Sequence, residues 1–117
     1  MSKYFKDKEF NCKCGCGKNN IDAALVYLLD ELRDWLGFPL IINSACRCEK
    51  YNLVVGGSPT SSHLIGVAVD IRALHEHTRY LIRKEALALG FERIGTGKTF
   101  LHLDIDFTKP QEVEWLY

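Results

Sequence analysis

Apolar residues in this chain fall into long runs at helical spacing and short runs of strand length. Between residues 21 and 37, Leu25, Leu28, Leu29, Leu32, Trp35 and Leu36 recur at helical spacing, while Asp30, Glu31, Arg33 and Asp34 take the other face. Asn20 or Asp22 can cap this helix, and Gly37 can stop it. A second helix is predicted over 78–89, with Tyr80, Leu81, Ala86, Leu87 and Leu89 as its stripe and Gly90 as its stop. The short runs predict strands over 39–44, 67–72, 91–94, 100–106 and 113–117, with a hairpin turn at Thr96-Gly97-Lys98. Residues 45–60 read as a loop with one short helix around 49–54, closed by the breakers Gly56-Gly57-Ser58-Pro59. Residues 1–20 read as an irregular, cysteine-rich arm anchored by Phe5 and Phe10. With no repeat and no linker, the pattern predicts one α+β domain over 1–117, a small mixed or antiparallel sheet with two main helices. Position assigns Trp35, Phe91, Phe100, Trp115 and Tyr117 to the core, and Tyr4 and Tyr51 to a groove.

Two of the strands carry polar residues at one parity. Along 67–72, Val67, Val69 and Ile71 point one way, and Ala68, Asp70 and Arg72 the other. Along 100–106, Leu101, Leu103 and Ile105 share a face, and Phe100, His102, Asp104 and Asp106 share the opposite one. If the strands are neighbours, Asp70 meets His102 and Asp104. Carboxylates facing each other on a sheet repel, and a cation removes the repulsion. His63, in the Ser-rich stretch 61–66, can fold back over the same face. His63, Asp70 and His102 then offer two imidazoles and one carboxylate, the donor set of catalytic zinc; calcium would call for more oxygen. His75 and His77 read as surface residues.

Composition narrows the partners. The 117 residues are 47% hydrophobic and 26% charged, with 15 basic and 15 acidic side chains. A net charge of zero argues against a dedicated nucleic-acid binder, and no apolar run is long enough to span a membrane. The charged start, Met1 to Asp7, has no apolar segment of the kind a secretory leader carries, so synthesis in the cytoplasm and a reduced state for the five cysteines are expected. Cys14, Cys16, Cys46 and Cys48 admit a second, structural zinc held by four thiolates; thiols packed as small apolar groups are the reading their spacing favours. Gly95-Thr96-Gly97-Lys98-Thr99 looks like the end of a phosphate loop, but Glu92 stands where the pattern needs glycine and a β-like run follows, so it reads as a turn.

Ser61-x-His63-x-x-Gly66-x-Ala68-x-Asp70, followed by His102-x-Asp104, resembles the zinc D-alanyl-D-alanine carboxypeptidases and related peptidoglycan peptidases, metallopeptidase family fifteen, whose fold is shared with the hedgehog signalling domain. Asn43-Ser44-Ala45-Cys46-Arg47 resembles that family's Ser-Gly-x-Arg segment, with Ala45 in place of glycine. The Cys-x-Cys-Gly-Cys-Gly start and the Lys109-Pro110-Gln111…Trp115 end resemble a compact, often phage-encoded branch. The resemblance implies zinc on His63, Asp70 and His102, a catalytic or substrate-binding Arg47, and Ser61 or Ser62 bonded to the substrate backbone. It also implies a base two or three residues before the last ligand, where this chain has Phe100 and Thr99. Asp104 is the candidate base instead, or else a carboxylate that orients a ligand histidine; His75, His77 and Glu92 are further candidates. The implied activity is hydrolysis of a stem-peptide bond, as carboxypeptidase or L,D-endopeptidase, by a monomer delivered to the wall by phage-type release. The alternative is a zinc-stabilised wall- or protein-binding domain without catalysis, hedgehog-like or part of a phage particle.

Overall fold

Asp22 starts the first helix, α1 (Ala23–Leu36), in the computed structural model, which describes residues 2–117. Its carboxylate accepts from the backbone N–H of Ala24 at 2.8 Å and of Leu25 at 3.4 Å, donors that a helix start leaves without partners. Gly37, at φ 74°, ends the helix in the left-handed region. Leu25, Leu29 and Leu32 are wholly buried, whereas Trp35 is 68% exposed and leaves the predicted core. At about 100° per residue it sits on the flank of the stripe those leucines define.

The chain continues through β1 (Ile42–Ser44), α2 (Glu49–Val54), a 3-10 turn (Ser62–Ile65), β2 (Ala68–Arg72), α3 (Glu76–Ala88), β3 (Arg93–Thr96), β4 (Phe100–Asp104) and β5 (Val113–Leu116). The five strands form one sheet in the order β1-β2-β4-β3-β5, antiparallel except for the parallel pair β3 and β5. This is the predicted α+β class with a mixed sheet. Several edges differ. β1 begins at Ile42, β3 is shifted to 93–96, and β4 stops at Asp104. The shift of β3 follows from Phe91, whose N–H closes the end of α3 on the Ala86 carbonyl at 3.0 Å and so belongs to the helix stop. Gly97 N–H donates to the Phe100 carbonyl at 2.9 Å, making the hairpin turn.

One face of the sheet is apolar. Val69, Ile71, Ile94, Leu101 and Leu103 bury there with the leucines of α1, Ile82 and Ala86 of α3, and Phe5 and Phe10 of the arm. Removing one such leucine to alanine costs about 2–5 kcal/mol. The other face is polar and ordered in rows, because paired residues share a face. Ser44, Asp70, His102, Gly95 and Trp115 form one row across all five strands. Ala68, Asp104, Arg93 and Val113 form the next. Among the described residues no helix is long and apolar enough to cross a membrane.

Candidate metal centre

Asp70 and His102 stand opposite each other in the β2–β4 ladder, and the 3-10 turn before β2 brings His63 over them. That turn is capped by Ser61 Oγ, which accepts from His63 N at 3.2 Å, and closed by Gly66 at φ 76°. A side chain at Gly66 would run into the Asn20 carbonyl oxygen, 2.0 Å from an added Cβ, besides straining the backbone.

Hydrogen bonds on the far side of each ring fix which nitrogen faces the centre. His63 Nδ1 lies 2.7 Å from the Ala45 carbonyl oxygen, which can only accept, so Nδ1 carries the hydrogen. Nε2 is left with a lone pair 3.3 Å from Asp70 Oδ1. His102 is turned the other way: Nε2–H donates to Asp104 Oδ2 at 2.7 Å, and Nδ1 lies 2.9 Å from the same Asp70 oxygen. Asp104 is a pure acceptor here, because Arg93 Nε donates to its Oδ1 at 2.7 Å and the Asp106 backbone N–H at 3.0 Å. With neutral imidazoles, three lone pairs therefore face one another. Such a set requires either added protons or a cation. The three atoms lie within 4.8 Å of one another. The edge of a zinc tetrahedron with nitrogen and oxygen ligands is about 3.3 Å, so the donor set fits zinc.

Without a cation, the electrostatics of the site favour the other remedy, added protons. Burial pushes the Asp70 carboxyl up, but once the imidazoles take up protons their hydrogen bonds to it, His102 first and then His63, outweigh burial and hold it well below the ordinary carboxylate range. Burial pushes the His102 imidazole down, and Asp104 and Asp70 outweigh that, so His102 is raised.

The centre lies in a cleft of about 540 Å³. Arg47 is on its wall. Its Nη2 donates to Asp70 Oδ2 at 3.3 Å, its Nε to Ser44 Oγ at 3.1 Å and its Nη1 to Asn52 Oδ1 at 3.1 Å. Ser62 Oγ donates to Asp106 Oδ2 at 2.7 Å and accepts from Lys109 Nζ at 3.0 Å, so its hydroxyl is already committed on both sides; of the two candidate serines, Ser61 keeps a free hydroxyl hydrogen. The other proposed bases are elsewhere: His75 and His77 line a separate hollow beside α3, and Glu92 lies near the end of α3. His75 and His77 are held away because α3 packs on the apolar face of the sheet.

Aromatic side chains complete the cleft, Phe100 from the parity face it shares with His102. Phe100, Trp115 and Tyr117, predicted as core, line it instead. Trp115 lies over Gly95, where an added Cβ would meet its Nε1 at 2.5 Å, and its ring centroid is 5.4 Å from that of His102. The missing side chain at Gly95 is what admits the indole. Arg93 is buried and paired to Asp104, its opposite neighbour on β4; only the strand register reveals the pair.

A second group of ligand-type atoms lies outside the cleft. Cys12, Cys14, Cys16 and Cys48 bring their sulfurs within 4.8 Å of one another. This corrects the predicted quartet in one member. Cys46 is wholly buried, with its Sγ 3.7 Å from Asn19 Oδ1, and Cys12 takes its place.

Two imidazoles and a carboxylate, open on one side to a cleft, are the donor set of a hydrolytic zinc centre. A sequence model of the family described as Peptidase M15 matches residues 3–106, and the chain belongs to that family. The family is zinc-dependent, which makes the protein a hydrolase of the zinc peptidase class. No curated protein matches the chain.

Proposed function

We propose that the chain hydrolyses a peptide bond in the stem peptides of bacterial peptidoglycan, as a D-alanyl-D-alanine carboxypeptidase or an L,D-endopeptidase, with zinc on His63, Asp70 and His102. The observation that carries this reading is the convergence of three lone pairs in a cleft whose wall holds Arg47.

When bound, zinc supplies a Lewis acid that activates water and polarises the scissile carbonyl. Arg47 has used three of its five N–H groups on Ser44, Asn52 and Asp70, and the remaining two suit a peptide carboxylate or a developing oxyanion. Its tie to Asp70 fixes that charge beside the ligand set. Phe100, Trp115 and Tyr117 give an apolar wall against which an alanyl methyl and a peptide plane can rest. Burial pushes the Tyr117 phenol up, so it stays protonated at neutral pH and serves as a donor, not a base. Asp104 is assigned to holding His102 Nε2–H, since three donors already occupy its oxygens. The same reading has the protein made in the cytoplasm and acting as a monomer at the wall after phage-type release, on peptidoglycan peptides and not on nucleic acid or membrane.

A second reading, a zinc-stabilised binding domain, draws on one observation. Among the described residues lining the cleft, every carboxylate and imidazole is a proposed ligand or is bonded to one. Incubation with purified peptidoglycan separates the two. Release of D-alanine, or of new amines without it, that stops with chelator and returns with zinc is expected, and tells carboxypeptidase from endopeptidase. Binding to peptidoglycan with no released amine or D-alanine would overturn the catalytic reading.

A further inference from the structure

The sulfurs of Cys12, Cys14 and Cys48 have the spacing of one face of a metal tetrahedron, and that of Cys16 lies within 4.8 Å of each of them. Cys12 and Cys14 are 3.5 Å apart, Cys12 and Cys48 3.8 Å, and Cys14 and Cys48 3.7 Å. A disulfide is about 2.05 Å long, so none of these pairs is bonded. A tetrahedral zinc with sulfur ligands at about 2.3 Å has an edge of about 3.8 Å.

The backbone around the sulfurs is arranged for charge on them. Cys12 Sγ accepts from Cys48 N at 3.4 Å, Cys16 Sγ from Lys18 N at 3.5 Å, and Cys48 Sγ from Tyr51 N at 3.3 Å. An N–H aimed at sulfur is a weak contact for a thiol and a charge-assisted one for a thiolate. The loop that presents three of the sulfurs is closed by Cys12 N–H to the Lys18 carbonyl at 2.9 Å. It turns through Gly15 at φ 87° and Gly17 at φ 85°. In a strand, cysteines two residues apart would share a face but stand about 6.6 Å apart; those turns draw them in to one point.

We propose that Cys12, Cys14, Cys16 and Cys48 hold a second, structural zinc ion as four thiolates, separate from the centre at His63, Asp70 and His102. Binding releases the thiol protons to solvent and involves no redox change. The site ties the arm to Cys48, which is the N-cap of α2 and the neighbour of Arg47. Arg47 is thus strapped on both sides, because Cys46 N–H donates to the Phe10 carbonyl at 3.1 Å. The ion holds the guanidinium against Asp70 from outside the cleft.

The test is metal analysis with cobalt as a spectroscopic probe. Protein purified from zinc-supplemented medium under reducing conditions carries two zinc ions per chain, and a thiol-specific mercurial releases one. Zinc-free protein titrated with Co²⁺ develops the near-ultraviolet charge-transfer absorption of cobalt thiolate. That band persists in His63→Ala/His102→Ala and in Cys46→Ser, and disappears in Cys14→Ser/Cys16→Ser. One zinc per chain insensitive to the mercurial, no band in the wild-type protein, or a band that survives Cys14→Ser/Cys16→Ser overturns the proposal. The wild-type titration decides alone if a variant does not fold, and its result is independent of any peptidase assay.

Discussion

The two clusters of ligand-type side chains are built by different means. His63, Asp70 and His102 are positioned by a sheet: β2 and β4 set Asp70 against His102, and the buried atoms Ala45 O and Asp104 Oδ2 turn the two rings. Cys12, Cys14 and Cys16 are positioned by a loop with two left-handed glycines and meet Cys48 at the start of α2, and Cys14 and Cys16 are exposed. The first arrangement is preorganised by the core and leaves a side open to a cleft. The second, as proposed, would use four protein donors and leave no position for substrate. Strand register suits chemistry that needs fixed lone pairs; a cysteine loop suits a clasp.

His102→Ala gives the largest expected effect. It removes one ligand and strands Asp104 beside Arg93, so peptidase activity falls about 10³-fold or more, several kcal/mol of transition-state stabilisation. The folded sheet, followed by circular dichroism, remains, which separates the centre from the scaffold. A variant with wild-type turnover would break the contrast at its strongest point.

Acid probes the support of the His63 turn. Burial pushes the Asp106 carboxyl up, but bonds from Thr108 and Ser62 outweigh it and depress the carboxyl from 3.8 to about 2. A depressed carboxylate stabilises the fold fully above its unfolded pKa, and that contribution is lost as pH falls through the folded value. The wild-type protein should therefore lose about 1.5–2 kcal/mol relative to Asp106→Asn between about pH 4 and pH 2, measured by denaturant unfolding of metal-free protein. Parallel pH curves for the two proteins would contradict this.

Asp104→Asn sharpens the role of the carboxylate behind His102. A neutral amide accepts the Nε2–H more weakly, and zinc affinity at the centre should fall about 10–100-fold by competition with a chelator. If Asp104 served as the base and not as a support, kcat would fall with zinc affinity unchanged.

The smallest effect belongs to the clasp. Cys14→Ser/Cys16→Ser leaves the cleft intact but loosens the strap on Arg47, so KM should rise more than kcat falls, with a Tm lower by about 5–10 °C. An unchanged KM and Tm would sever the clasp from the cleft.

Much of this was legible in the sequence because strands have a period of two. Parity alone placed Asp70, His102 and Asp104 on one face, and the β2–β4 register brings them into one site. Arg93 was invisible for a related reason: its pairing with Asp104 needs the β3 register, and that strand begins two residues later than its apolar pattern suggests. Trp115 and Tyr117 read as core because apolar strands usually are; the parallel addition of β5 at the sheet edge, over Gly95, turns them to the cleft. Cys12 was missed in favour of Cys46 because irregular backbone has no period. Only the turns at Gly15 and Gly17 decide which sulfurs meet.

Anomalous diffraction at the zinc absorption edge, from crystals of protein grown in zinc medium, tests the metal claim most directly. The account predicts a peak bounded by His63 Nε2, Asp70 Oδ1 and His102 Nδ1, and a second among the sulfurs of Cys12, Cys14, Cys16 and Cys48. Zinc absent from between the two imidazoles and Asp70 would contradict it.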